Sequence, residues 1–268
     1  MKDYLRHLVE STEGDANKKI CLAREYLQAR ILQSLQEDGA FARWAFQGGT
    51  ALRFLFSLPR FSEVLDFALV PGRGDVLFER AVERARSAFR AEGYEIGVKS
   101  KPEKTVASAF IGFRGLLHEL GLSQHRRQML SVKVEVDTNP PAGAGMDTTL
   151  VRRHVTLNLH HYDKASLLSG KVHAVLSRSW CKGRDLYDLV WYLADRTWPD
   201  PNLPFLNSAL CQTGWTGPEL VAENWRQALL GRLKGLDWDT ARADVLPFLE
   251  RPQEADLICP EHLFQLLR

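Results

Sequence analysis

The sequence predicts an α+β fold, in which a sheet-containing part follows a helical lead-in and precedes a helical second half. Residues 130–137 alternate strictly between apolar and polar side chains, which is typical of a half-buried strand. Apolar residues at helical spacing mark roughly the first forty residues and return after about residue 165. We therefore expect a mixed α/β part over residues 1–145 and a mainly helical part over 146–268, separated near the turn-rich stretch 139–145.

Composition excludes several classes of protein. The 268 residues are 45% hydrophobic and 25% charged, with a net charge of +2. This balance is ordinary for a globular protein with a buried core and does not require a polyanionic partner. The first ten residues carry no secretory pattern and no apolar run approaches the length of a membrane span, so we expect a cytoplasmic protein. The cysteines form no Cys-x-x-Cys pair, which argues against a zinc or redox motif.

The segment Ala45–Leu52 predicts a strand, a tight turn and the start of a helix. Gly48 and Gly49 permit a backbone that other residues would strain, and Thr50 suits the cap of a helix starting near Ala51. Backbone N–H groups at a helix N-terminus bind phosphate. Taken alone, such a Gly-Gly turn is more often purely structural.

Two carboxylates lie on predicted strands. Asp66 is set among apolar residues in the strand 63–70, and Glu135 lies on the polar face of the strand 130–137. A carboxylate beside a phosphate-binding loop suits Mg²⁺, which prefers oxygen ligands. If the two strands are neighbours, Glu135 could be a second ligand or a general base. Each carboxylate taken alone also fits a solvated strand position.

A late cluster combines cations with two aspartates. Asp185 and Asp188 are three residues apart and therefore share a face of the predicted helix. Lys171, Lys182 and Arg184 form a cationic set able to meet triphosphate oxygens. Surface salt bridging explains the same pattern better when the motif is considered alone. The chain contains neither the Gly-x-Ser-x-Gly pattern of hydrolases nor a His-Glu-x-x-His zinc motif.

The order and spacing of these motifs resemble the AbiEii/AbiGii toxin family, which has the polymerase-β-like nucleotidyltransferase fold. The resemblance is carried by Phe46–Leu52, Arg60–Phe67, Lys171 and Lys182–Leu189. It runs from about residue 22 to about residue 193. It implies a mixed-sheet nucleotidyltransferase core and a helical C-terminal half.

The resemblance also implies an activity. The chain is expected to be the toxin of a toxin–antitoxin system, with a cognate antitoxin and a role in phage defence. It would transfer a nucleotide from an NTP to an acceptor, with Mg²⁺ as cofactor and release of pyrophosphate. RNA, and particularly a tRNA 3′ end, is the acceptor class that relatives suggest, although a protein acceptor remains open.

Residue roles follow from the same resemblance. Asp66 would ligate Mg²⁺, Glu135 would be the third carboxylate of the site, and Lys171 would contact the nucleotide phosphates. Either Asp185 or Asp188 would complete the catalytic set. The remaining residues expected to bind the nucleotide are Gly48, Gly49, Thr50, Arg53, Lys182 and Arg184.

Val64 departs from the family pattern. The family's carboxylate strand usually reads Asp-x-Asp, whereas here Val64 occupies the place of the first aspartate, two residues before Asp66. A valine cannot bind a metal. Three interpretations stay open: an engineered inactive variant, natural loss of the ligand, or replacement by Glu63. The last requires a bulge, because adjacent strand residues point to opposite faces.

Two other functions compete with an active toxin. One is a catalytically silent module that binds nucleotide or RNA, and the other is a transferase that modifies a small hydroxyl compound. An RNA substrate predicts an open basic groove rather than a closed pocket. Clustered basic residues favour RNA modestly, and these clusters lie within 80–90, 99–104, 126–127 and 152–153.

Overall fold

A seven-stranded mixed sheet is the central element of the computed structural model, which describes residues 2–102 and 104–268. The strand order is β3-β4-β5-β2-β1-β7-β6. Strands β1–β2, β3–β4 and β4–β5 pair antiparallel, whereas β2–β5 and β1–β7 pair parallel. The strands are β1 Trp44–Gln47, β2 Val64–Leu69, β3 Ile96–Lys101, β4 Val106–Phe113, β5 Leu130–Asp137, β6 Met146–Arg153 and β7 Val155–Tyr162.

Helices precede the sheet, interrupt it and follow it, as the predicted α+β class requires. The α-helices of the described residues are α1 Lys2–Ser11, α2 Ala16–Glu37, α3 Gly48–Phe56, α4 Phe78–Ala91, α5 Leu116–Glu119, α6 Lys164–Ser177, α7 Gly183–Ala194, α8 Leu203–Gln212, α9 Trp225–Leu233, α10 Trp238–Val245 and α11 Pro260–Leu266. Short 3₁₀ turns occupy Ala40–Ala42, Leu246–Phe248 and Pro252–Leu257.

The chain divides into two compact units. The sheet unit comprises Met1–Ser57, Phe61–Asn139 and Thr148–His161, and the helical unit comprises Leu58–Arg60, Pro140–Asp147 and Tyr162–Arg268. In the helical unit α7 packs against α6, α10 and α11. Its Trp225 is fully buried.

At strand β5 one face of the sheet is buried and the other is open. Along β5, Leu130, Val132, Val134 and Val136 are buried, whereas the intervening residues are partly exposed. Helices α2 and α4 pack against strands of this sheet. The alternation predicted from the sequence is therefore confirmed, because each turn of the pleat reverses the face that a side chain occupies. The polar side chains of β5 lie on the open face.

Strands β6 and β7 were not predicted. Strand β6 lies at the edge of the sheet and is mostly polar and exposed, so it lacks the apolar signal of a buried strand. Strand β7 does alternate, since Leu157 and Leu159 are buried between exposed neighbours. That shorter pattern was the available signal for a strand before residue 165.

The assignment of Thr50 as a helix cap was wrong. Helix α3 begins at Gly48, and the residue in the cap position is Gln47. Thr50 lies inside the first turn, is fully buried, and donates its hydroxyl hydrogen to the carbonyl oxygen of Val64. Thr50 therefore ties α3 to β2.

A buried ionic cluster stabilises the sheet unit around Glu25 of α2. The Glu25 carboxylate binds Arg53 of α3, the Arg153 Nε at 3.0 Å and the His154 Nε2 at 2.9 Å. Burial alone would raise the pKa of Glu25, but the hydrogen bond from His154 and the charges of Arg53 and Arg153 outweigh it and lower the pKa to about 2. This cluster joins α2, α3 and the turn between β6 and β7.

Glu25→Gln is expected to destabilise the protein at neutral pH by up to about 3 kcal/mol, the equivalent of the pKa shift. The folded-state pKa lies below the ordinary value of 4.5, so the stabilisation is complete above pH 4.5 and is lost as the pH falls toward 2. Urea unfolding of both proteins across this range measures the difference. The exposed Glu83→Gln on α4 is the control. The difference in unfolding free energy between the wild type and Glu25→Gln should shrink as the pH falls from 4.5 toward 2. A constant difference would contradict the assignment of Glu25 as the ionised centre of the cluster.

Candidate functional site

Asp66 and Glu135 are brought together on the open face of the sheet. Strands β2 and β5 pair in parallel, with Asp66 in register with Glu135. Register partners on adjacent strands share a face and lie about 5 Å apart. Gln47 of β1 and Ser108 of β4 extend the same row, since they pair with Asp66 and Glu135 respectively.

The Gly-Gly turn lies against this row. Gly48 has φ +78°, and a Cβ placed on it would lie 2.7 Å from the Asp66 Oδ2. Glycine is therefore required both by the left-handed backbone and by the close approach of the carboxylate. Gly48 is also the first residue of α3, so the positive end of that helix dipole faces the region of Asp66.

Val64 lies on the open face, two residues before Asp66, and is in register with Lys133 of β5. The Lys133 ammonium is 2.7 Å from the Glu135 Oε1 and 5.5 Å from the centre of the Phe110 ring. A lysine thus neutralises one of the two carboxylates beside the position where the family has its first aspartate. This pairing was not foreseen from the sequence, although Lys133 and Glu135 are two residues apart in the alternating strand and therefore share a face.

The carboxylates of this face suit one divalent ion better than two. Asp66 and Glu135 have the carboxylate oxygens that an Mg²⁺ ion would need, and such an ion would take its other ligands from phosphates and water. In the part of the chain that the structure describes, no group of three or more His, Cys, Asp and Glu side chains is arranged to hold a metal. Val64 contributes no ligand, so the residues present do not provide for a second ion.

In the helical unit, Lys171, Asp185 and Asp188 form one buried ionic cluster. The Lys171 Nζ is 3.0 Å from the Asp185 Oδ1 and 2.7 Å from the Asp188 Oδ2. Arg60 binds Asp188 through two parallel hydrogen bonds of 2.6 Å, and Arg178 binds Asp185. Arg60 and Arg178 are the partners that sequence reasoning missed. Arg60 precedes Asp188 by 128 residues, and no local pattern joins them.

The two aspartates differ in exposure. Asp188 is fully buried and both its oxygens accept hydrogen bonds from Arg60. Asp185 retains 6% exposure, and its partner Arg178 is 42% exposed. Burial opposes ionisation of Asp185, but Lys171 and Arg178 lower its pKa. Burial likewise opposes the charge of Lys171, yet Asp188 and Asp185 raise its pKa. Both shifts favour the charged forms of Asp185 and Lys171.

Three residues expected to bind the nucleotide have other contacts. Arg53 is buried in the Glu25 cluster and stacks on Phe61 at 4.1 Å. Arg184 stacks on Phe248 at 4.3 Å. The hydroxyl of Thr50 is bound to Val64. Lys182 precedes α7 at its cap position and is partly exposed. Gly183 follows it because a methyl group there would overlap the Ala241 carbonyl oxygen.

The comparison with protein families gives the class of the protein as a nucleotidyltransferase. The model of the nucleotidyl transferase AbiEii toxin family, described as a type IV toxin–antitoxin system, matches residues 30–258. The chain therefore belongs to this family of nucleotidyltransferase toxins. The match also extends beyond residue 193, where the motif resemblance ends, and covers most of the helical unit.

Solved structures share the fold. JHP933 from Helicobacter pylori is 17% identical with a TM-score of 0.54, over 92% of this chain and 91% of that chain. MenT4, a nucleotidyltransferase toxin from Mycobacterium tuberculosis H37Rv, is 17% identical with a TM-score of 0.53, over 99% of both chains. No curated protein matches the sequence. Among the described residues, no helix is long and apolar enough to cross a membrane.

Gly48→Ala should lower the free energy of unfolding by about 1–2 kcal/mol, the cost of a left-handed conformation for a residue with a Cβ. It should also displace the Asp66 carboxylate. Urea unfolding measures the change. Gly170→Ala is the control, because Gly170 lies exposed in α6 with nothing within 4 Å of an added Cβ. That control should gain up to about 1 kcal/mol. Equal stability changes in both variants would refute the close approach.

Asp188→Asn should cost about 3–5 kcal/mol of stability, because it leaves Arg60 and Lys171 buried with an incomplete partner. Asp185→Asn should cost clearly less, since Arg178 can turn toward solvent and Lys171 keeps Asp188. Urea unfolding of the two variants, measured side by side, gives the ranking. A larger loss for Asp185→Asn would reverse the assignment of Asp188 as the structural aspartate.

Proposed function

We propose that the chain transfers a nucleotide from an NTP to a hydroxyl of an RNA acceptor, with a tRNA 3′ end as the acceptor class, and releases pyrophosphate. The observation that carries the proposal is the contact between the Gly48 turn and the Asp66 carboxylate, with Glu135 in register beside it. A phosphate-binding helix N-terminus adjoins a pair of carboxylates on one face, and the family match supplies the reaction class.

Each role rests on the chemistry of one group. The N–H groups of Gly48 and Gly49 would bind phosphate oxygens. Asp66 and Glu135 would hold the Mg²⁺ that accompanies the NTP, and this ion would neutralise phosphate charge. Phosphoryl transfer depends mainly on positioning and on such neutralisation. The acceptor oxygen forms the new bond to the α-phosphorus as the bond to pyrophosphate breaks, and the hydroxyl proton passes to a carboxylate or to water.

Within the helical unit, Lys171 and Asp185 are assigned to the reaction and Asp188 is assigned to structure. Asp188 is fully buried with its oxygens bound by Arg60 and Lys171. Asp185 is the member with residual exposure and an exposed cation partner. Lys171 would meet the nucleotide phosphates. Arg53 and the Thr50 side chain are not assigned to the nucleotide, because both are buried in contacts of the sheet unit.

The second candidate function is that of a weakened or silent enzyme, because Val64 occupies the place of the family's first aspartate. Lys133 already neutralises Glu135, and Asp66 and Glu135 are the two carboxylates of the row Gln47, Asp66, Glu135 and Ser108. Such a chain would bind NTP or RNA with little turnover. We infer a cytoplasmic toxin neutralised by a cognate antitoxin in either case, because the family is a toxin–antitoxin family.

Val64→Asp is expected to raise Mg²⁺-dependent labelling of RNA by at least about a hundredfold, the scale on which one charge-stabilising group acts. The added carboxylate would complete the Asp-x-Asp pair with Asp66. The measurement is transfer from each labelled NTP to total tRNA with Mg²⁺ present. Val64→Asn is the matched control, since it adds a polar group of similar size without charge.

Absence of labelling by Val64→Asp with every NTP would argue against the enzyme. In that case, NTP binding measured by calorimetry separates the two remaining candidates. Binding without transfer supports the silent module, and absence of both refutes the site.

A further inference from the structure

We propose that the open face beside Glu135 contains a subsite for unpaired nucleotides of a nucleic-acid strand, with Phe110 as the base-stacking surface and lysines of β3 and the following loop as phosphate contacts. The proposal rests on the proposed function, because it assigns residues to the acceptor strand. It adds a binding surface that neither the glycine turn nor the carboxylate pair provides.

Phe110 is an exposed aromatic side chain on a charged face. It is 46% exposed on β4, and its register partners are Lys99 of β3 and Lys133 of β5. Ser108, two residues earlier on the same face, is in register with Glu135. The ring therefore lies one register step from the carboxylate row. A base stacked on it would place its neighbouring nucleotide beside that row.

The surrounding charge is positive. A cleft of about 450 Å³ next to Phe110 is lined by Lys99, Lys101, Lys104 and Lys133, with Glu135 as its acidic member. The Lys133 charge is shared with Glu135, whereas Lys99, Lys101 and Lys104 are exposed. β3 is the edge strand, so these three cations continue from the ring to the border of the sheet.

This combination favours a strand with unpaired bases over other anions. Proteins that bind single strands combine a positive groove with aromatic rings on which bases stack. The cations spread over two strand spacings, about 10 Å, which suits several phosphates rather than one. In a duplex the bases are already stacked and could not use Phe110. An acidic peptide would meet the lysines but would gain no stacking.

The test is fluorescence anisotropy of a labelled single-stranded RNA of about eight nucleotides with the full chain, without NTP or metal. Phe110→Ala should weaken binding at least about fivefold, because one base stack is lost. Phe110→Trp should retain it. Trp180→Ala is the control, since Trp180 is 54% exposed in the helical unit. Unchanged binding by Phe110→Ala, or equal weakening by Trp180→Ala, overturns the proposal.

The phosphate contacts proposed for Lys99 and Lys101 are tested by the salt dependence of RNA binding. Lys99→Ala combined with Lys101→Ala should lower the slope of log affinity against log salt by about 1.4, which corresponds to two single-strand phosphate contacts. Lys18→Ala combined with Lys19→Ala in α2 is the matched control and should leave the slope unchanged. Equal slopes in the wild type and the β3 variant would refute the phosphate contacts.

Two further probes identify the ligand. A duplex RNA and an acidic peptide of the same length should bind independently of Phe110, and dependence equal to that of the single strand contradicts the proposal. If Phe110→Ala weakens binding of free NTP but not of the strand, the ring belongs to the donor nucleotide and the acceptor subsite is wrong. None of these experiments requires catalysis. Binding of the single strand that depends on Phe110 would therefore still support the subsite if every transfer assay failed.

Discussion

The approach of the Asp66 carboxylate to Gly48 is the constraint on which the rest of the open face depends. It requires a residue without Cβ at the first position of α3, and it requires β1 and β2 to pair so that Gln47 lies opposite Asp66. The buried hydroxyl of Thr50 then joins the same helix to the Val64 carbonyl. A helix N-terminus and a carboxylate strand are thereby held together by strand pairing and by one short, buried side chain, which fixes the position of both.

The helical unit holds its acidic groups in a different way. Asp188 and Asp185 are surrounded by cations that satisfy almost every carboxylate oxygen, and Asp188 accepts the two-pronged geometry that only arginine offers. Desolvation makes the intact cluster a weak source of net stability, but removal of one partner is strongly destabilising because it leaves a buried charge uncompensated. The i, i+3 spacing on α7 thus serves two purposes, with one aspartate fixed and its neighbour retaining some access to solvent.

Local features could be predicted from the sequence where a short residue pattern is compatible with one local structure. The alternation of β5 specifies which side chains face outward, and the two glycines specify the turn. The pairing of the strands could not be predicted from the sequence. Strands β3 and β4 come between β2 and β5 in the sequence, but in the sheet they lie beyond β5, so that β2 and β5 are adjacent. The register of Asp66 with Glu135 therefore depends on the topology of the whole sheet. The partner of Asp188 was hidden for the same reason. Thr50 misled because its residue type suits a cap, whereas the Gly48 contact starts the helix earlier.

The Val64 substitution changes the charge of the open face as well as its ligands. Two carboxylates at strand spacing repel each other and need a cation. Lys133, 2.7 Å from Glu135, supplies one permanently. With an aspartate at position 64, three carboxylates and one lysine would leave a strongly negative face that attracts divalent ions. With Val64, the same side chains carry one negative charge fewer, so the face repels a triphosphate less. Relative to an aspartate at position 64, we therefore expect Val64 to weaken the binding of divalent ions and to lessen the repulsion of anions on this face.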